Sequence, residues 1–394
     1  MKENSKRESD SFVVTKFETI QLLKKLIAIP TVDPPGNEME AAIAVKEVLE
    51  KEGITSKIYD LGSGRANLVA RLNGSGKKPA IVFSAHFDTI AVDESQWTMP
   101  PFEGKIKDGR LYGRGATDMK SGLVSMVCAA IELKRNAVAL AGDLILAFSA
   151  AENSSGMGAA ELARCGELDG AGAMLISEPT SLKVFIAEKG ALWLKATAKG
   201  ASGHGAFVIN WKTDYGNAIV RMSKFIARMQ HLDLDVPSHP HLGGPTVNVG
   251  KIYGGVSAPI IPSSCTLEID VRMIPGMTPE YVSKKLQDLA GEHIDIEVID
   301  FKPPVVTAEE DPFIQLCVET CESVLERVPE VTGVQYYSDA TTFSPVLKIP
   351  MVIIGPGEVG HSGIADEYVE IDNVIKTNRI FYKIARRYLA DHND

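Results

Sequence analysis

Cysteine is scarce and odd in number, five in 394 residues. That count excludes a disulfide-stapled scaffold and fits a reducing compartment. No apolar run approaches the ~18 residues that a membrane-spanning helix needs. Met1 to Asp10 carries charge and serine without an apolar stretch, which predicts a frayed tail rather than a secretory signal, and the cytoplasm is the expected location. Positive charge is in deficit, 41 Lys and Arg against 51 Asp and Glu, for a net charge of −10. Such a chain lacks the electrostatic footprint of a nucleic-acid binder and offers anionic membranes no attraction. Internal repeats and low-complexity segments are missing too. What is there, 45% hydrophobic and 23% charged residues, is ordinary globular composition and excludes a disordered, collagenous or coiled-coil chain. At about 150 residues per domain the length predicts two or three domains. Against this acidity stand eight histidines, and the places where they meet carboxylates carry the functional information.

Apolar residues at helical spacing predict helices over Phe17–Ile29, stopped by Pro30, and over Glu38–Lys51. Strands are expected at Leu68–Ala70, Ala80–Phe83, Leu144–Phe148 and Ala173–Ile176, with helices near Ser121–Lys134 and Met157–Ala163 between them. Near-continuously apolar strands alternating with helices predict an α/β layer with a largely parallel sheet. The pattern then changes to half-exposed alternation. Strands at Leu192–Ala198, Thr246–Tyr253, Ser264–Met273 and Ile294–Asp300, with helices at Tyr215–Gln230 and Pro279–Gly291, give the order β-α-β-β-α-β. From Asp311 the earlier pattern returns, with a buried strand at Pro350–Ile354 and a helix over Ile371–Leu389. The expected organisation is an α/β domain in two segments, 1–190 and 304–394, interrupted by an inserted α+β domain, 191–303.

Polar clusters follow the apolar strands, where open sheets place their sites. His86 and Asp88 follow Phe83 at i and i+2, so they point the same way in extended chain, which suits a metal ligand with an orienting carboxylate. The run Gly113 to Gly122 resembles a dinucleotide fingerprint only until Asp118 replaces the third glycine; a carboxylate would repel a pyrophosphate and serves better as a hard ligand for a divalent cation. Glu152 and Asn153 follow Phe148, Glu178 follows Ile176, and His361 and Ser362 follow Ile354. Carboxylates converging on one cleft need something positive to offset their repulsion. A metal site is therefore the expectation. Cys317 and Cys321 share a helix face, and core packing is the stronger reading for them. The run Ser238–His241 reads as a solvated Pro-rich loop.

His86-Phe87-Asp88, the run Gly115 to Gly122, Glu152 and Glu178-Pro179 together resemble the M20 metallopeptidase family, over nearly the whole chain. The resemblance implies a zinc-exopeptidase-like α/β domain plus a lid domain that dimerises. It implies that His86, Asp118 and Glu178 hold a first divalent metal (zinc, cobalt or manganese), that Asp118 bridges to a second, that Asp88 orients His86, and that Glu152 is the general base. It also implies that His204, in Gly200–Gly205, stabilises an oxyanion from across a dimer, and that Arg272 grips a substrate carboxylate as a bidentate fork.

Two departures fall on the second metal. Where the family has two adjacent glutamates, this chain has Glu152 then Asn153, whose carbonyl is a weaker ligand. His361 lies six residues before Glu367, a longer interval than the family's usual one, and Gly363 stands where the commonest spacing puts the histidine. One firmly bound ion is expected, with Asn153 and His361 the only candidates for a second. Pro259 replaces an asparagine often used for substrate binding. The leading expectation is a metal-dependent hydrolase cleaving an amide bond of a small carboxylate-bearing substrate such as an N-acyl amino acid or a dipeptide. Its rivals are a one-metal aminohydrolase of a small amino acid and a catalytically silent binding protein.

Overall fold

The computed structural model describes residues 12–208, 214 and 216–390. The tail Met1–Asp10 and the first residue of the expected helix at Tyr215 lie outside the described residues. The chain divides into two compact units. One comprises Met1–Ile186, Thr307–Thr332 and Ser338–Asp394; the other comprises Ala187–Val306 and Gly333–Tyr337.

In the first unit the strands lie in the order Thr55–Gly62, Arg65–Leu72, Leu144–Ser149, Ala80–His86, Ala171–Ile176, Met351–Ile353 and Val184–Glu188. The middle four are parallel. Their residues are almost all buried, as two covered faces require. Helices Lys120–Arg135 and Met157–Arg164 make two of the crossovers. The flanking strands are antiparallel, so the sheet is mixed rather than parallel throughout. The local reason on one side is a hairpin: Ser63 and Gly64, at φ 53° and 80°, close a two-residue turn between Gly62 and Arg65. Thr55–Gly62 is half-exposed and polar, which hides it from a search for apolar runs.

Three parallel strands end side by side, His86 against Ser149 and Ser84 against Ile176. The chain that follows each of them therefore emerges at one carboxyl edge. Helix Lys120–Arg135 packs close beneath this edge: a Cβ at Gly122 would lie 2.1 Å from Ser177 Oγ. Glycine is required there, and it brings the Asp118 turn and the Ser177–Glu178 segment together.

The second unit carries strands Gly190–Lys199, Thr246–Gly254, Ser264–Met273 and Ile294–Lys302 and helices Ala218–Met229 and Pro279–Ala290 in the expected β-α-β-β-α-β order. Its sheet is antiparallel throughout, and Thr246–Gly254 and Ile294–Lys302 are its edges. Both helices cover one face, burying Met222, Phe225, Val282 and Leu286 against Leu192, Leu194, Leu267 and Ile269. At about 25 cal/mol per Å² of apolar surface, burial of this kind contributes most of what holds the helices to the sheet.

Candidate metal centre

His86 is the last residue of its strand and is 2% exposed. The chain around it is pinned on both sides. Phe87 packs edge-on against Phe148 with centroids 5.8 Å apart, Thr31 Oγ1 donates to the Phe87 carbonyl at 2.7 Å, and the Thr89 N–H donates to the Thr31 carbonyl at 2.9 Å. His86 Nδ1 lies 2.9 Å from the Asp88 carbonyl oxygen and 3.6 Å from its carboxylate. A carbonyl only accepts, so Nδ1 carries a proton, and Nε2 is the nitrogen turned to the carboxylates, where a cation would take the place of its proton. The sequence expectation gives this orienting role to the Asp88 carboxylate; the backbone oxygen holds the closer contact. Nε2 faces Asp118 Oδ1 at 3.2 Å and Glu178 Oε1 at 3.6 Å. Ligand atoms of His86, Asp118 and Glu178 all lie within 4.8 Å of one another.

Asp118 sits in a turn shaped by Glu367. Backbone N–H groups of Gly115, Thr117 and Asp118 donate to Glu367 Oε1 at 3.1, 2.8 and 3.2 Å, and Arg114 pairs with Oε2. Arg114 and Glu367 are both buried. Burial pushes Glu367 up to about 7, with Arg114 pulling against it and the Asp118 charge adding to it. Replacing Arg114 by alanine leaves a buried carboxylate that grips the turn without its cation. We expect a loss of about 3–5 kcal/mol in urea unfolding; an unchanged midpoint would show that the pair does not hold the turn.

Glu152 begins the loop after strand Leu144–Ser149. The Asp88 carboxylate fixes this loop, accepting from the Glu152 N–H at 3.1 Å, the Asn153 N–H at 2.9 Å and Asn153 Nδ2 at 2.9 Å. Burial, joined by the charges of Asp339, Asp88 and Asp118 and opposed by His86, raises the Glu152 carboxyl well above its ordinary range. Burial and Asp118 do the same to Glu178. Burial works against a proton on His86, but the hydrogen bond to Asp118 and the charges of Asp88, Glu178 and Glu152 outweigh it and raise its pKa well above normal. Asp118 is held low because its hydrogen bonds to His86 and Ser362 outweigh burial. One nitrogen and several carboxylate oxygens compressed into a buried cleft match the donor set of a divalent cation, which would offset the repulsion among them.

Two further expected residues are outside the three whose ligand atoms converge. His361 Nδ1 is 3.2 Å from Glu358 Oε2 and its ring is 5.0 Å from that of Tyr368. Asn153 is exposed and donates to Asp88. Asp339 is not among the residues the sequence points to. It is 6% exposed, accepts from Ser149 Oγ, and is raised to about 6 by burial. Its only signal is local, a Ser-Asp pair ahead of helix Ala340–Leu347. His204 and Arg272 belong to the second unit. His204 pairs with Ile260 between short strands, and its Nδ1 accepts from the Ala206 N–H at 3.2 Å. Arg272 Nε donates to Asp270 Oδ2 at 3.0 Å, and its guanidinium lies 5.4 Å from the Tyr337 ring centre.

A His–Asp–Glu group at the carboxyl edge of the parallel strands, with a further, half-buried glutamate on the next loop, has the make-up of a metal-dependent hydrolase of the α/β class. The chain belongs to peptidase family M20/M25/M40, whose model matches residues 82–387. A Staphylococcus epidermidis protein named "probable succinyl-diaminopimelate desuccinylase" is 28% identical, covering 96% of this chain and 99% of its own. The acetylornithine deacetylase of Myxococcus xanthus is 30% identical over 86% of this chain and 90% of its own. Among solved structures, the Bacillus subtilis YXEP protein, described as a dinuclear metal binding peptidase of the M20 family, has a TM-score of 0.72 at 17% identity, covering 95% and 98% of the two chains. Family membership makes this chain a hydrolase acting on carbon–nitrogen bonds.

Proposed function

We propose that the chain hydrolyses an amide bond of a small carboxylate-bearing molecule, an N-acyl amino acid or a dipeptide, with His86, Asp118 and Glu178 holding one divalent cation and Glu152 acting as general base. The observation that carries this reading is the convergence of the three ligand atoms within 4.8 Å, with the half-buried carboxyl of Glu152 close enough to act on His86 by charge. A cation of the zinc, cobalt or manganese type, when bound, acidifies water and polarises a carbonyl. The remaining steps fall to side chains. Glu152, on a loop fixed by Asp88, takes the proton of the attacking water and returns it to the leaving nitrogen. A carboxyl with a raised pKa suits both halves of that transfer, because the proton is neither held too weakly nor released too reluctantly.

Arg272 is the candidate for the substrate carboxylate. Asp270 and Tyr337 hold its planar fork, and a fixed fork suits bidentate recognition. His204 is assigned to the developing oxyanion. We take the second unit as the lid through which two copies associate. In support, Thr246–Gly254 is an edge strand with Ile252 and Tyr253 exposed at 51% and 61%, open to pairing with another chain.

A screen of N-acetyl and N-succinyl amino acids and dipeptides, with and without Mn²⁺, Co²⁺ and Zn²⁺, tests the reading. Cleavage is expected only with metal, and only for substrates with a free carboxylate. Ammonia released from an unacylated amino acid would favour an aminohydrolase. Binding of a small acid by metal-free protein, with no turnover on any substrate, would make this a binding protein.

A further inference from the structure

The M20 resemblance implies a second ion, and the residues present do not fit one. Asp118 would have to lend an oxygen to each ion. Oδ1 faces His86, but Oδ2 already accepts from Ser362 Oγ at 2.5 Å. The second glutamate is Asn153, whose side-chain amide donates to Asp88 Oδ2 at 2.9 Å. A glutamate could not make that bond: its carboxylate only accepts, and it would oppose the carboxylate of Asp88. The expected histidine position is Gly363, at φ +80°, where a Cβ would lie 2.8 Å from Ile90 Cδ1. A histidine there would be strained by the left-handed backbone, and the tip of Ile90 would have to move aside for it. His361 is turned to Glu358 and Tyr368. A pocket of only about 10 Å³ remains between Arg114, Asp118, Asn153, Ser362, Gly363 and Glu367, lined by a guanidinium, a hydroxyl and an amide beside the two carboxylates.

We infer that hydrogen bonds of the protein take over the space of a second ion: Asn153 and Ser362 are positioning residues that hold Asp88 and Asp118 around a single cation. The Asn153 amide ties the Asp88 carboxylate to the loop that carries Glu152, while the Asp88 carbonyl sets the proton on His86. Ser362 fixes the Asp118 carboxylate so that Oδ1 stays turned to His86. Partners of this kind, one step removed from the metal, set ligand orientation and with it metal affinity. The inference rests on the proposed His86, Asp118 and Glu178 site.

The test loads the full chain with excess Zn²⁺ or Mn²⁺, desalts it, counts ions per chain by mass spectrometry, and times metal loss to a chelator. Wild type should retain one ion. Asn153→Ala and Ser362→Ala should each lose it about 10–100-fold faster, and Ser362→Thr, which keeps the hydroxyl, should restore retention. Asn153→Glu should lose the first ion faster and gain no second. Both side chains are exposed, and a thermal melt of each metal-free variant checks its fold. Two ions held by wild type, or a second ion gained by Asn153→Glu with the first held as before, would overturn the inference. So would alanine variants that keep the wild-type loss rate. No ion in wild type would remove the proposed metal centre itself, an outcome distinct from one ion with unaffected variants.

Discussion

Replacing Glu152 with glutamine should lower kcat by about 10²–10⁴, the usual contribution of a positioned acid–base group, while the protein keeps its metal. The substitution preserves size and changes only the capacity to take a proton. Glu152 is outside the three residues whose ligand atoms converge, so metal content should not follow activity down. Its loop is held through backbone N–H groups to Asp88, which glutamine leaves intact. Steady-state kinetics paired with metal analysis of the same preparation decides the matter. Retained turnover would remove Glu152 from the chemistry. Lost metal would make it a ligand instead.

The sheet strands and their terminal residues are legible in the sequence because a strand buried on both faces must be apolar along its whole length, so a carboxylate or histidine directly after it stands out. His86, Glu152 and Glu178 are each visible in this way. Asp118 is visible for a different reason, as a charge in a glycine run where a phosphate site would forbid one. What stays hidden depends on pairing over long separations. Glu367 binds Gly115, Thr117 and Asp118 from about 250 residues away, and Ser362 reaches Asp118 from 244; nothing near either residue announces its partner. Asp339 escapes notice because it precedes a helix, where an aspartate has an ordinary local explanation, and only the fold shows that its carboxyl meets Ser149. The flanking antiparallel strands escape because Thr55–Gly62 is too polar to read as a buried strand. From its chemistry alone, Asn153 is a poor ligand. The structure gives it a donor's task, which residue type permits but does not reveal.

His86→Ala should abolish both metal retention and turnover, and the two losses should be inseparable. Nε2 is the one nitrogen ligand of the group, and its orientation comes from a backbone contact that no neighbouring side chain can replace. Asp118 and Glu178 would remain, but two carboxylates alone, with Asp118 already pushing the protonation of Glu178 upward, hold a transition metal more weakly than a set that includes imidazole. The effect should also appear without substrate. Ligand binding to the folded state stabilises it by RT ln(1 + [L]/Kd), about 4 kcal/mol at a thousandfold excess over Kd, so adding Zn²⁺ or Mn²⁺ to metal-free wild type should raise Tm by several degrees. In His86→Ala that rise should vanish, while the metal-free variant still melts cooperatively because the rest of its strand and Phe87 stay packed. A variant that shows the full metal-dependent rise in Tm would place the cation on other ligands, and the site would have to be redrawn without His86.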